Sequence, residues 1–246
     1  MLAALAVTIA SGVSAPFAQA GTITWTAPQL ITGDTDVSTA GTLVGAFNFG
    51  EPTVSSATMN GVTFQPFGVS NLGVTSVTVG NFTIAAPNGL SSRNFSAGSA
   101  SPPFSLLSPD YQTFLASFVS SFGPMTLTIA GLTLGTTYDF QWWTNWSAMG
   151  AEYRTEATNG NTVTLDTNPT NTDGGLGEFA IGTFTASSTT EVITFQNLDV
   201  ISLISGFQLR QIGSAAVPDS GSTFGLLSVA LFALFGVTRF RARQLA

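Results

Sequence analysis

Glu152 and Glu156 lie four residues apart, and on a β-strand both side chains would leave the same face. Two carboxyl groups held roughly 5–9.5 Å apart in a cleft are what glycoside hydrolysis requires, one as acid and the other as nucleophile or base. No other familiar catalytic chemistry survives the residue types present. The chain has no His and no Cys, which removes Ser-His-Asp and Cys-His nucleophiles and the common zinc sites. It has no Lys either, all 6 basic residues being Arg, so Schiff-base and P-loop lysines are absent. Glu152 and Glu156 sit beside an Asn159-Gly160 turn, where a solvated strand face accounts for them, and no Glu-x-Asp-x-x-Glu pattern occurs. The expectation is a protein that is not an enzyme.

Sugar recognition has better material. In Tyr138-Asp139-Phe140-Gln141-Trp142-Trp143, alternation sends Tyr138, Phe140 and Trp142 one way and Asp139, Gln141 and Trp143 the other. A flat aromatic face beside carboxylate and amide groups suits a stacked sugar ring, and Trp146 in the loop that follows would extend the platform. Trp143, Trp146, Asp139 and Gln141 are therefore the candidate ligand-binding residues. The competing reading, favoured because large aromatics are usually packed, puts Trp143 in the core beneath a helix. Calcium is a third chemistry. Asp34 and Asp36 alternate in a Gly-Asp-Thr-Asp turn, and Asn171, Asp173 and Glu178 surround Gly174-Gly175. Hard oxygens of this kind suit Ca²⁺, although the same side chains cap their own turns without metal. No other cofactor is implied.

Short strands must position these residues. Segments 22–26, 42–49, 62–67 and 74–84 are rich in Thr, Val, Phe and Ile with Gly or Asn between them. Asn60-Gly61 suits a two-residue hairpin turn. Residues 85–105 read as a long loop. Ser108-Pro109-Asp110 then offers an N-cap, a first-turn proline and an acid, and Tyr111, Phe114, Leu115, Phe118, Val119 and Phe122 recur at helical spacing before Gly123-Pro124. This predicts a helix over 109–122. Strands are expected again over 125–130, 136–144, 153–158, 162–166, 178–186, 191–197 and 202–212. The pattern predicts an all-β, antiparallel jelly-roll sandwich with one short helix.

The two ends differ from this body. Residues 1–20 are apolar at first, break at Pro16, and end in Ala18-Gln19-Ala20, a cleavage pattern before Gly21. They read as a signal peptide, although no basic residue precedes the apolar run. Residues 21–213 then form one β-sandwich domain, and 214–223 a linker containing Val217-Pro218-Asp219-Ser220-Gly221. The run 222–238 has 17 residues without a charge, short but admissible for a bilayer, and residues 224–238 within it are expected as the transmembrane helix. Residues 239–246 are a basic end carrying Arg239, Arg241 and Arg243, which places the C-terminus on the cytoplasmic side. Asp219 aside, twelve acids in the body face three bases, Arg93, Arg154 and Arg210, for a net charge near −9. That balance excludes nucleic acid and anionic membrane as partners.

The order of polar motif, apolar span and basic end resembles the C-terminal sorting signals of exosortase substrates, the PEP-CTERM class, in its VPDSG variant. The resemblance implies a secreted surface protein held transiently in the inner membrane and cut near the motif by an exosortase-type transpeptidase. Within the body, Leu132-Thr133-Leu134-Gly135-Thr136-Thr137-Tyr138 and Gly206-Phe207-Gln208-Leu209-Arg210 resemble the second half of jelly-roll domains of the galactose-binding-like and carbohydrate-binding class. Three functions follow as expectations. The first is a non-enzymatic structural protein of the cell surface or extracellular matrix. The second is a carbohydrate-binding module acting on exopolysaccharide, and the third a carboxylate-based glycanase.

Overall fold

The computed structural model describes residues 21–70, 73–94, 100–150 and 152–213. The expected signal peptide over 1–20, the sorting motif and linker over 214–223, the span over 224–238 and the basic end lie outside the described residues.

The body is a sandwich with a third layer. Eight strands form the largest sheet, in the spatial order β1 (Thr24–Trp25), β14 (Glu178–Thr185), β11 (Thr137–Thr144), β17 (Gly206–Gly213), β3 (Thr42–Gly50), β5 (Val62–Gly68) and β4 (Ala57–Met59). The eighth, β2 (Gln29–Leu30), also pairs with β14. Six strands form the second sheet: β13 (Asn161–Asp166), β12 (Arg154–Asn159), β15 (Thr190–Asn197), β10 (Met125–Ala130), β7 (Phe82–Ala85) and β6 (Ser76–Val79). A small sheet joins β16 (Ser202–Ile204), β9 (Ser117–Ser121) and β8 (Ser91–Asn94). Pairing between the described strands is antiparallel except for β3 with β5.

Alternation decides which side chains fill which layer. Phe47, Phe140, Trp142 and Phe207 of the large sheet meet Phe82, Leu127, Ile193 and Phe195 of the second in one aromatic core. Trp142 meets Phe195 edge-on at 5.0 Å, and Phe47 lies 5.0 Å from Phe82 between ring centroids. The opposite parity, Ala46, Phe64, Trp143 and Phe179, forms a second cluster with Tyr111, Phe114 and Leu115 of α1 (Pro109–Leu115). The large sheet is thus apolar on both faces, as a central layer must be.

Several expectations hold. Asn60 and Gly61 carry φ of 48° and 75° and close the β4–β5 hairpin, as a primed turn requires. The Ser108 side chain accepts from the Tyr111 amide and caps α1, with Pro109 in the first turn. The helix is half as long as expected, however. Its last turn closes with Ala116 N–H on the Gln112 carbonyl, and residues 117–121 become β9, hydrogen-bonded to β8 on one side and β16 on the other. All five β9 side chains are buried. Two further runs are divided: 74–84 turns at Gly80 (φ 57°) into the β6–β7 hairpin, and 202–212 changes sheet at Ser205. The loop expected over 85–105 contains β8.

Candidate functional site

β11 obeys its alternation, but the face that carries Asp139, Gln141 and Trp143 is not a solvent face. Trp143 is 0% exposed. Its ring meets Phe64 and Phe114 edge-on at 5.5 and 5.4 Å and stacks on Phe179 at 6.1 Å. Its indole N–H donates to the Tyr111 hydroxyl at 3.1 Å, and that hydroxyl donates to Asp36 Oδ2 at 3.2 Å. Burial, reinforced by the Asp36 charge, pushes the Tyr111 phenol well above its ordinary value, so it serves as a neutral donor.

Gln141, 1% exposed, holds the segment that covers it. Its Oε1 accepts from Ser38 N at 3.0 Å and Gln208 Nε2 at 2.7 Å, and its Nε2 donates to the Asp36 carbonyl at 2.7 Å. Beside it the Arg210 guanidinium donates to the Thr39, Ala40 and Gly41 carbonyls at 3.1, 2.6 and 3.0 Å. Asp139 is half-buried and accepts from Thr183 Oγ1 at 2.6 Å. The expected sugar platform is therefore corrected: Trp143 is core and Gln141 a clasp, because α1 and the 31–41 segment lie over them.

The calcium candidates are engaged within the protein. Asp36 accepts from Thr32 N, Thr32 Oγ1 and Gly33 N at 2.7, 2.6 and 3.0 Å. Asp34 Oδ1 accepts from Ser108 Oγ at 2.6 Å, tying the turn to the cap of α1. Asn171 and Asp173 accept from the amides of Gly150 and Met149 at 2.7 and 3.1 Å, whereas Glu178 accepts from Asp166 N at 2.8 Å. Among the described residues no three His, Cys, Asp or Glu side chains converge as a metal site would need. These acids order their own turns, the alternative that Asx chemistry offered.

Trp146 is the candidate that stays partly open. It stacks on Phe118 with centroids 5.3 Å apart and planes at 27°, and Tyr153 tilts against it at 5.3 Å. The three rings line a cleft of about 370 Å³. Register builds its floor. β8 and β9 set Arg93 opposite Phe118 and Ser91 opposite Ser120, so these four share one face while Ser92 and Val119 turn to the interior. Phe122 continues the same parity and is 75% exposed at the cleft edge. Asn88, Val200 and Ile201 complete the rim. A bidentate contact from Arg154 to Asp199, at 2.9 and 3.2 Å, pins the turn that carries Val200.

Sequence reasoning missed Arg93, Phe118, Phe122 and Tyr153, having placed the two phenylalanines on a helix. The period-2 spacing of Phe118, Ser120 and Phe122 was the available signal. Glu152 precedes β12, and Glu156 lies within it opposite Thr164 and Gln196. Neither lines the cleft, and no carboxylate among the described residues does.

Residues 216–239 match the VPDSG-CTERM motif. The chain carries a VPDSG-CTERM sorting signal. The motif indicates an exported protein anchored transiently in the membrane, and it implies processing by an exosortase-type system. Among the described residues no helix is long and apolar enough to cross a membrane; the expected span lies outside them. No curated protein matches the chain. Among solved structures, Bacteroides uniformis beta-glucuronidase 2, covalently bound to cyclophellitol-6-carboxylate aziridine, aligns at 13% identity and TM-score 0.41. That alignment takes 68% of this chain and spans 18% of the other. A solved carbohydrate-binding module of the β-sandwich superfamily aligns at 17% identity over 60% of this chain and 71% of its own, with TM-score 0.16. Scores this low leave both likenesses without weight for function.

Proposed function

We propose that the body is the non-catalytic binding module of an exported surface protein, and that the Trp146 cleft takes a saccharide, exopolysaccharide being the natural class. The observation that carries this reading is the aromatic wall. Trp146 is braced by the buried Phe118 ring behind it and by Tyr153 beside it, so a ring laid on Trp146 and Tyr153 meets a surface already ordered, and Phe122 stands largely exposed beside them. Arg93 and Asn88 supply hydrogen-bond donors at the rim, and Arg93 favours a glycan bearing carboxylates. The absence of lining acids among the described residues fits binding without hydrolysis. After processing near Val217–Gly221 the module would be presented at the cell surface or outside it.

Affinity electrophoresis of the exported protein in gels containing acidic or neutral polysaccharide tests the reading. Retardation is expected with an acidic polymer. Phe122→Ala, at an exposed position, should weaken it by about 1–3 kcal/mol, as loss of an aromatic stacking surface does. If no polymer retards the wild type, or Phe122→Ala is retarded equally, the body is left with a purely structural role.

A further inference from the structure

Glu191 is 1% exposed. It occupies the inward parity of β15 with Ile193 and Phe195, and lies opposite Ile129 of β10. No cation faces it among the described residues. Its carboxylate accepts from the Asn159 side chain of β12, from the Val192 amide at 3.3 Å, and from Gly21 N at 3.1 Å. Beyond Gly21 the surrounding surface is backbone: a Cβ on residue 21 would lie 2.3 Å from the Thr185 carbonyl oxygen of β14. Glycine alone fits there. Isolated buried carboxylates are costly unless paired with positive charge, and burial indeed pushes this one above its ordinary range. The nitrogen that reaches it belongs to the residue immediately after Ala18-Gln19-Ala20.

We propose that cleavage between Ala20 and Gly21 completes the fold, because the α-ammonium released on Gly21 becomes the missing counter-ion of Glu191. Hydrolysis adds one water across the amide. The hydroxyl goes to the Ala20 carbonyl carbon, giving a carboxylate once its proton is lost. The Gly21 nitrogen gains the two protons that make it an ammonium. A neutral amide donor 3.1 Å from the carboxylate thus turns into a cation at the same place, and the hydrogen bond becomes charge-assisted. Before cleavage Glu191 is buried without a charge partner and the body is weakened. After cleavage the pair locks the first residue against the ends of β12, β14 and β15. Processing and final stability are thereby linked, with no role for the Trp146 cleft.

The test uses the full chain in detergent, with residues 15–20 replaced by the recognition sequence of a protease that cuts before glycine. Melting before and after the cut, at pH 7, should show a rise on the order of 5 °C. Glu191→Gln should abolish that rise. While Glu191 is ionised, the gain is full below the unfolded α-ammonium value of about 8 and fades as pH climbs through the raised folded one; it is lost again at acidic pH as Glu191 takes up its proton. A second readout is acylation of the new α-amine at pH 7, expected about tenfold slower than in Glu191→Gln. Equal melting of cut and uncut wild type, a rise that survives Glu191→Gln, or equal acylation rates would overturn the proposal. So would an exported protein whose first residue is not Gly21.

Discussion

Trp143 and Trp146 lie three residues apart at the end of β11, one inside the strand and one just past it. Both belong to the only sequence run rich enough in aromatics and amides to suggest a sugar platform. Trp143 points away from the sandwich core, as an exposed platform residue would, and is nonetheless sealed beneath α1. Trp146 leaves the sheet and finds a wall of its own, Phe118 and Tyr153, with an open side toward Phe122. The difference shows that facing outward from a sheet and facing solvent are separate conditions. The first is a matter of pleat; the second depends on what else the chain lays over that face.

Substitution should make the contrast measurable. The largest effect is expected at Trp143. Trp143→Ala removes a buried ring contacting three others and should cost about 3–5 kcal/mol, whereas Trp146→Ala, half-buried, should cost about 1–2 kcal/mol. Urea melts of the two variants would show it, and equal losses would break the comparison. Next comes the clasp over the sealed face. Gln141→Leu strands Ser38 N and the Asp36 carbonyl and leaves Gln208 Nε2 with the Ser38 carbonyl as its remaining acceptor, at about 1–3 kcal/mol, and should speed hydrogen exchange at the Ser38 amide ahead of the sheet amides. Exchange that quickens everywhere alike would mean the covering segment is no separate layer.

The smallest effect is in pH. Burial raises Asp166 and Glu178, while the hydrogen bond from Arg154 lowers Asp199 beside the cleft. A carboxyl raised in the folded state weakens the fold at neutral pH, and stability returns as pH falls through that raised value toward the unfolded one near 4. Asp199 has the opposite sign: its contribution is present above its unfolded value near 3.9 and is lost as pH falls through the lowered folded one. Being largely exposed, its pair contributes little. Melting temperature should therefore rise modestly from pH 7 into the mildly acidic range and then fall. Glu178→Gln should flatten the rise, and a monotonic decline from neutrality would contradict these assignments.

Much of the body was legible in the residues alone. Thr, Val and Phe runs with Gly and Asn between them announce strands, and Asn60-Gly61 closes the hairpin its φ preferences allow. The missing His, Cys and Lys limited the chemistry, and the succession of Val217–Gly221, an apolar run and three arginines marked a sorting signal. These are local properties, carried by a side chain or its immediate neighbours.

What remained depended on partners distant in the chain. Tyr111, Phe114, Leu115, Phe118, Val119 and Phe122 satisfy a helical period, yet Phe118, Ser120 and Phe122 also satisfy a strand period. The choice fell to β8 and β16, which pair with residues 117–121 from about 30 and 80 positions away. The same holds for Trp143. Alternation placed it opposite Trp142, but only the docking of α1 and of the 31–41 segment, held by Gln141 and Arg210, removed it from water. The Trp146 cleft exists because that strand choice left Phe118 and Phe122 on one face beside Tyr153. Glu191 reads in sequence as one more strand acid; its burial, and its contact with Gly21 across 170 residues, arise only when Gly21 and the start of β15 are brought together.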